Sequence, residues 1–275
     1  MILVTGATGT VGRHVVRLLR ERRQPVRAMS RNPAVTPGLD VVRADFTDPV
    51  SLARAVHGVR AVFLLTAPPV PAPGHDLALL AAARAAGVAH IVKLSAIHVS
   101  AWHLAVEEAL RADGPEWTVL RPSSFATNAL PWAGAIAAGQ PVPNLTGTGR
   151  QGVVDPRDVA AVAVEALTGP GHHGRIHPLT GPELLDVPAQ AAVLAEVLGR
   201  PVTTTDVPPE AARAGLLRAG LDPAAVHEIV AGSSWARAGH NAVLTGDVER
   251  ILGRPPTGFR TWAEDHRPAF TAPPR

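Results

Sequence analysis

An α/β fold, a doubly wound parallel sheet carrying a smaller and mostly helical C-terminal lobe, is what this sequence predicts. Three observations carry the prediction. Up to about residue 178, short apolar runs alternate with helix-length amphipathic stretches, the pattern of strands buried on both faces and joined by crossover helices. The first run, Ile2–Thr5, leads into a glycine-rich turn and then a helix-periodic stretch. Beyond about Leu179, helical segments separated by proline-containing turns replace the alternation.

The elements follow in order. Ile2–Thr5 reads as a buried strand, and Thr10 to Arg22 as a helix with Val11, Val15, Leu18 and Leu19 on one side. Val26–Ser30, Val41–Arg43, Ala61–Leu65, Ile91–Ser95 and Thr118–Arg121 are the next strands, with helices near Ser51–His57, Asp76–Ala86 and Trp102–Ala112 between them. Arg157–Leu167 is a further helix, opened by Asp155 and Pro156. Pro, Gly and Trp punctuate 122–150. The expected division is a sheet domain of 1–125 and 151–178, a substrate or cap lobe of 126–150 and 179–267, and a frayed tail of 268–275.

Composition narrows the function. With 46% hydrophobic and 18% charged residues among 275, the chain has material for a sizeable core. The pI of about 10.7 suggests a nucleic-acid binder only superficially. There is one lysine, no tyrosine and no cysteine, so little titrates between His and Arg, and a net charge of +3 is enough to raise the pI. The arginines are scattered among acids, so no nucleic-acid partner is expected. Zero cysteines exclude disulfides, thiolate catalysis and Cys-ligated metals. His172, His173 and His177 sit in a Gly-Pro loop without a spaced carboxylate, and no metal is expected there. No apolar run is long enough to span a bilayer, and with the first strand at Ile2 no signal peptide is expected. A cytoplasmic monomer or homodimer acting on a small molecule is the resulting expectation.

The turn after the first strand reads Gly6-Ala7-Thr8-Gly9-Thr10-Val11-Gly12. Glycines at such a strand-to-helix turn let backbone approach a pyrophosphate, and the following helix offers free N–H groups and its positive end to that anion. The spacing is weak alone and gains force from the strand before it and the helix after it; a plain tight turn is the other reading. At the end of the second strand an NAD site would carry an acid for the ribose hydroxyl. Here Ser30-Arg31-Asn32 stands instead, and a guanidinium suits a 2′-phosphate. Arg13 is a second candidate for that phosphate, the alternative being that both arginines are solvated. A Rossmann-type domain holding NADP(H) follows.

The chain resembles the NmrA-like group of atypical short-chain dehydrogenase/reductases, which includes NAD(P)H:quinone oxidoreductases, isoflavone-reductase-like enzymes and redox-sensing regulators. The segments that carry the resemblance are Val4 through Gly12, Ser30-Arg31-Asn32-Pro33, Ala44-Asp45-Phe46, Lys93-Leu94-Ser95-Ala96, Trp117 to Pro122 and Val154 to Ala160. It implies that Asp45 and Phe46 flank the adenine, that Thr66, Ala67 and Pro68 line the path to the nicotinamide ribose, and that Pro122, Ser123, Ser124 and Phe125 close over the nicotinamide. A cap for Asp45 and a core position for Phe46 are the plain alternatives.

Typical members of the wider superfamily protonate a carbonyl with a Tyr tuned by a Lys. This chain has no Tyr, so that mechanism is impossible. On the corresponding helix His103 and Glu107 stand at i and i+4, sharing a face, where the carboxylate would orient the imidazole and favour its protonated, proton-donating form. Ser95, ending the fifth strand, is expected to hold a substrate carbonyl or the nicotinamide amide. Lys93 reads as structural. His98, Trp102, Asn128 and Trp132 are the substrate-side candidates. The function expected is NADPH-dependent reduction of a quinone or carbonyl-containing small molecule, aromatic ones included. A non-catalytic NADP(H)-binding redox sensor, or a tailoring enzyme with other chemistry on this fold, are the alternatives.

Overall fold

Residues 1–32, 39–66, 70–112 and 114–271 are described in a computed structural model of the chain. Ile2, Leu3 and Val4 are completely buried, because the strand they form, β1 (Ile2–Val4), has a neighbour on each edge. The chain continues through α1 (Gly12–Glu21), β2 (Val26–Ser30), β3 (Val41–Arg43), α2 (Pro49–Val56), β4 (Ala61–Leu64), α3 (Gly74–Ala85), β5 (His90–Leu94), α4 (Ala101–Ala112) and β6 (Glu116–Pro122). A 3-10 segment (Ala126–Trp132), α5 (Ala133–Ala137), β7 (Val142–Asn144) and β8 (Gln151–Gly152) precede α6 (Pro156–Thr168) and β9 (Arg175–Leu179). Then come β10 (Leu184–Leu185), α7 (Val187–Leu198), β11 (Thr204–Asp206), α8 (Pro209–Arg218), α9 (Pro223–Arg237), α10 (Asp247–Leu252), α11 (Phe259–Asp265) and α12 (Arg267–Thr271).

The main sheet has the order β3-β2-β1-β4-β5-β6-β9. Ile2 lies opposite Val26 of β2 and Ala61 of β4, both pairings parallel, and the β2–β3, β4–β5 and β5–β6 pairings are parallel too. Strand order reverses between β1 and β4, which opens a crevice at their carboxyl ends. The doubly wound fold is therefore as expected.

Alternation along the strands divides the core. Leu3, Val62 and Leu64 point to one face, where Leu52 and Val56 of α2, Leu79 and Leu80 of α3, and Val106 and Leu110 of α4 cover them. Each such leucine contributes about 1.5–3 kcal/mol by burial. Helices α1 and α6 pack against each other and bury Val15, Val16 and Leu19 from one, Val159, Val162 and Ala163 from the other. Asp48 starts α2 by accepting from the Val50 and Ser51 amides, with Pro49 in the first helical position.

The chain forms two compact units. One comprises Met1–Pro122 and Pro156–Pro178; the other comprises Ser123–Asp155 and the described residues from Leu179 onward. The second is not purely helical. Strand β11 pairs in parallel with β7, and β10 pairs antiparallel with β8. Residues 151–155 thus belong to the second unit rather than returning to the main sheet; an apolar pair such as Val153-Val154 announces burial without saying in which core. The frayed tail also needs correction. Residues 267–271 form α12, and Phe270, 1% exposed, packs with Phe259 and Trp262 in the second core. A lone aromatic leaves no periodicity to read; residues 272–275 lie outside the described residues. No described helix is long and apolar enough to cross a membrane.

Candidate active site

The site begins where β1 ends. Thr5 is fully buried, and its Oγ1 donates to the Leu65 carbonyl (2.7 Å) and accepts from the Leu65 amide (2.8 Å), tying the turn after β1 to the turn after β4. Gly6 follows with φ +59°, a left-handed conformation that favours glycine. The Gly9 amide donates to the Gly6 carbonyl at 2.9 Å. A Cβ on Gly12 would meet that same carbonyl oxygen at 2.1 Å, so the loop backbone crosses directly over the start of α1. At Gly9 the corresponding approach is 3.2 Å. Gly12 is thus a packing glycine, while Gly9, less tightly crowded, lines the cavity. No residue in the first turn of α1 is acidic, so the positive helix end is free to act on an anion.

Gly6, Thr8 and Gly9 line a cavity of about 510 Å³ together with Ser30, Arg31, Asp45, Phe46 and Thr66, all eight anticipated from sequence. The volume and the glycine cradle fit a dinucleotide. Thr10, Val11, Gly12 and Arg13 are not among the lining residues. Val11 is core, 2% exposed, and exposed Arg13 places its Nε 3.4 Å from His14 Nε2. Thr10 and Val11 precede α1, and Gly12 and Arg13 open it.

Ser30 is committed to its own turn, where Oγ accepts from the Asn32 amide and donates to the Asn32 carbonyl. That turn presents Arg31 at the exposed cavity rim. Asp45 Oδ1 accepts from the Thr47 amide (2.8 Å) and hydroxyl (2.7 Å), which holds its carboxyl below the usual range. The Phe46 ring stacks on His75, centroids 5.2 Å apart and planes 13° apart. His75 was not anticipated: the helix was expected to begin at Asp76, one residue later, whereas α3 starts at Gly74. Behind the wall, the Thr66 hydroxyl donates to Asp76, whose other oxygen lies 2.6 Å from Lys93 Nζ, both charges fully buried. The only lysine in the chain is therefore structural, as read, and braces Thr66. Ala67 and Pro68 lie outside the described residues.

At the end of β5, Ser95 is 6% exposed and donates its hydroxyl hydrogen to Glu107 Oε1 at 2.7 Å. Glu107, on α4, also accepts from Arg111 (2.8 Å) and from Arg121 Nε (3.1 Å) and Nη2 (2.5 Å). Burial alone would raise this carboxyl, but the bonds from Arg121 and Ser95 and the two guanidinium charges outweigh it, and the net shift is downward. The expected pairing of Glu107 with His103 is overturned. Arg121, on β6, is the partner that no helix spacing could disclose.

His103 instead stacks on Trp102, centroids 3.7 Å apart, and places Nδ1 3.1 Å from Ser100 Oγ. Burial first, and the Lys93 charge second, lower its pKa to about 4. At neutral pH the imidazole is uncharged, contrary to the expectation of a protonated acid. Half-buried His98 contributes in the same direction through its charge.

Among the remaining candidates, Pro122 is the buried last residue of β6. Ser123 is buried and donates to Asn241 Oδ1 at 3.0 Å; Asn241 in turn donates to Gln151 at 2.9 Å. The Ser123 hydroxyl is thereby used internally. Phe125 is half-buried and bridged to Val154. Ser124, Asn128 and Trp132 come together, within the second unit, on a cavity of about 320 Å³, where Asn128 Nδ2 donates to Ser124 Oγ at 3.2 Å. His98 and Trp102 belong to the first unit. Among the described residues no cluster of three or more His, Asp or Glu is arranged to hold a metal.

Comparison with known proteins gives a consistent picture. The profile of a family described as NAD(P)H-binding matches residues 6–170. The chain is 40% identical to a (4-alkanoyl-5-oxo-2,5-dihydrofuran-3-yl)methyl phosphate reductase of Streptomyces griseus, over 98% of this chain and 99% of that one. It is 34% identical to an NAD(P)H azoreductase of Xenophilus azovorans, over 99% and 100% of the two chains. Its structure matches the NADPH-dependent quinone oxidoreductase of Escherichia coli crystallised with NADPH, with a TM-score of 0.86 and 26% identity over 96% and 99% of the two chains.

Proposed function

The chain belongs to the NAD(P)H-binding family, and from that membership we propose that it is an NADPH-dependent reductase of quinones and related conjugated carbonyl compounds. The observation that carries the proposal is the cradle itself: a glycine loop so close to the start of α1 that Gly12 admits no Cβ, opening on a cavity with Arg31 at its rim. The relatives, a furanone phosphate reductase, an azoreductase and a quinone oxidoreductase, share reduction of a small conjugated acceptor.

When bound, the reduced nicotinamide supplies a hydride, and one solvent proton completes the two-electron reduction of a quinone to a hydroquinone. The loop and the start of α1 hold the pyrophosphate. The Ser30–Asn32 turn aims the Arg31 guanidinium at the 2′-phosphate, favouring NADPH over NADH. Phe46 and His75 supply a flat wall for the adenine, beside Asp45. Ser95 has given its hydrogen to Glu107, so it offers lone pairs and accepts an N–H from a carboxamide. His103, uncharged and held at Nδ1 by the Ser100 hydroxyl (3.1 Å), positions substrate through its ring without delivering a proton. Water suffices as the acid for a quinone, and no tyrosine is present to replace it.

The test is a fluorescence titration with NADPH followed by anaerobic turnover with menadione, read as loss of the reduced-nicotinamide absorbance. Saturable binding with stoichiometric consumption is expected. Binding without consumption of NADPH by any quinone, azo or furanone acceptor overturns the reductase reading in favour of a cofactor sensor.

A further inference from the structure

Two hydroxyls stand just beyond the carboxyl ends of neighbouring strands, and a buried carboxylate takes the hydrogen of each. Ser95, after β5, gives its hydrogen to Glu107, which Arg111 and Arg121 hold. Thr66, after β4, gives its hydrogen to Asp76 Oδ2, while Lys93 Nζ sits 2.6 Å from Asp76 Oδ1. Asp76 and Lys93 are fully buried. A buried ion pair contributes little net stability, because desolvation offsets the attraction. What this one does is fix the direction of a hydroxyl. A carboxylate only accepts and an ammonium only donates, so the pair leaves Thr66 one arrangement, with its hydrogen on Asp76 and its lone pairs elsewhere.

Thr66 lines the cofactor cavity although it is buried. The cavity therefore meets an oxygen that accepts a hydrogen bond and does not donate one. Strand order says which part of the cofactor lies there. Arg31 and Phe46 follow β2 and β3, the glycine loop follows β1, and Thr66 follows β4, on the other side of β1 from β2. A dinucleotide laid along that order has its 2′-phosphate at Arg31 and its pyrophosphate on the loop. The ribose beyond the pyrophosphate, next to the nicotinamide, then comes to Thr66. A hydroxyl of that ribose is the donor this oxygen lacks.

We infer that Asp76 and Lys93 are positioning residues that hold Thr66 as the hydrogen-bond acceptor for the nicotinamide-side ribose. The inference rests on the cofactor reading of the cavity and not on turnover, so calorimetric titration tests it. Three ligands are compared: NADPH; 2′-phospho-ADP-ribose, which keeps both riboses without the nicotinamide; and adenosine 2′,5′-bisphosphate, which has the adenine-side ribose alone. Thr66→Val is expected to weaken the first two roughly three- to tenfold and to leave the bisphosphate within about twofold. Thr66→Ser, which keeps the hydroxyl, is expected to restore both. Asp76→Leu combined with Lys93→Met removes both charges without stranding either. This paired variant is expected to weaken the same two ligands roughly two- to fivefold and to spare the bisphosphate. Asp76→Asn is the isosteric alternative should the paired variant not fold. Its amide oxygen must face Lys93, so its NH₂ faces Thr66 and turns the hydroxyl round; the same ligand pattern is expected. An equal loss for all three ligands marks a merely structural role and overturns the inference, as does unchanged NADPH affinity in Thr66→Val; both leave the cofactor reading intact. Failure of the wild type to bind any of the three overturns that reading, and the inference with it.

Discussion

Acidification from pH 7 to pH 4 should destabilise the protein in part through one imidazole, and the size of that effect follows from where His103 sits. An unfolded histidine takes up its proton near pH 6.5. In the folded chain, burial and the Lys93 charge delay that uptake to about 4. Between these values the unfolded state binds the extra proton and the folded state does not, so folding stability is fully present above the unfolded pKa and declines as pH falls toward the folded one. At 1.36 kcal/mol per unit the ceiling is about 3 kcal/mol; partial exposure of the ring reduces the expectation to about 1–2 kcal/mol. The chain has 12 histidines and many carboxylates, so the measurement is a difference. Urea unfolding of wild type and His103→Gln at pH 7 and at pH 4.5 should show the wild type losing about 1–2 kcal/mol more than the variant over that range. The ring protons of His103, followed by NMR, should titrate well below the ordinary histidine range. A midpoint near 6.5, or equal acid sensitivity of the two proteins, would refute the burial argument and restore an imidazolium acid. The same reasoning predicts that menadione turnover does not fall between pH 6 and 8 through loss of a His103 proton.

Other residues make separate claims. Gly12→Ala should lower the melting temperature sharply, because its Cβ would sit 2.1 Å from the Gly6 carbonyl; Gly9→Val should leave circular dichroism near native while abolishing NADPH binding. Arg31→Ala should weaken NADPH roughly ten- to a hundredfold and leave NADH nearly unchanged; equal losses in a binding titration would remove Arg31 from the 2′-phosphate. Glu107→Ala, which strands two arginines and the Ser95 hydroxyl, should cost about 3 kcal/mol in chemical denaturation. Because the Glu107 carboxyl is held low, its contribution is present above the ordinary carboxylate range and disappears as pH falls through the lowered value. Phe270→Ala should cost about 3–5 kcal/mol if α12 is part of the core; an unchanged melting temperature would return this helix to the status of a tail.

Much of the first unit was legible in the sequence because its determinants are local. A strand buried on both faces must be apolar at every position, as Ile2-Leu3-Val4 is, and a crossover helix must bury a stripe, as Val15, Val16 and Leu19 do. The glycine loop announces itself because backbone crossing backbone tolerates only glycine, and Ser30-Arg31 sits at the fixed place where a second strand ends. Electrostatic partnership was decided elsewhere. Glu107 has a histidine one helical turn before it and an arginine one turn after it, but its strongest partner arrives from β6, fourteen residues on, and only the packing of α4 against the sheet brings Arg121 there. His103 carries no mark in the sequence of the burial that neutralises it. Periodicity and turn chemistry are properties of neighbours along the chain and can be read there; pKa, hydrogen-bond pairing and the charge of a cavity are sums over neighbours in space, and those exist only once the chain has folded.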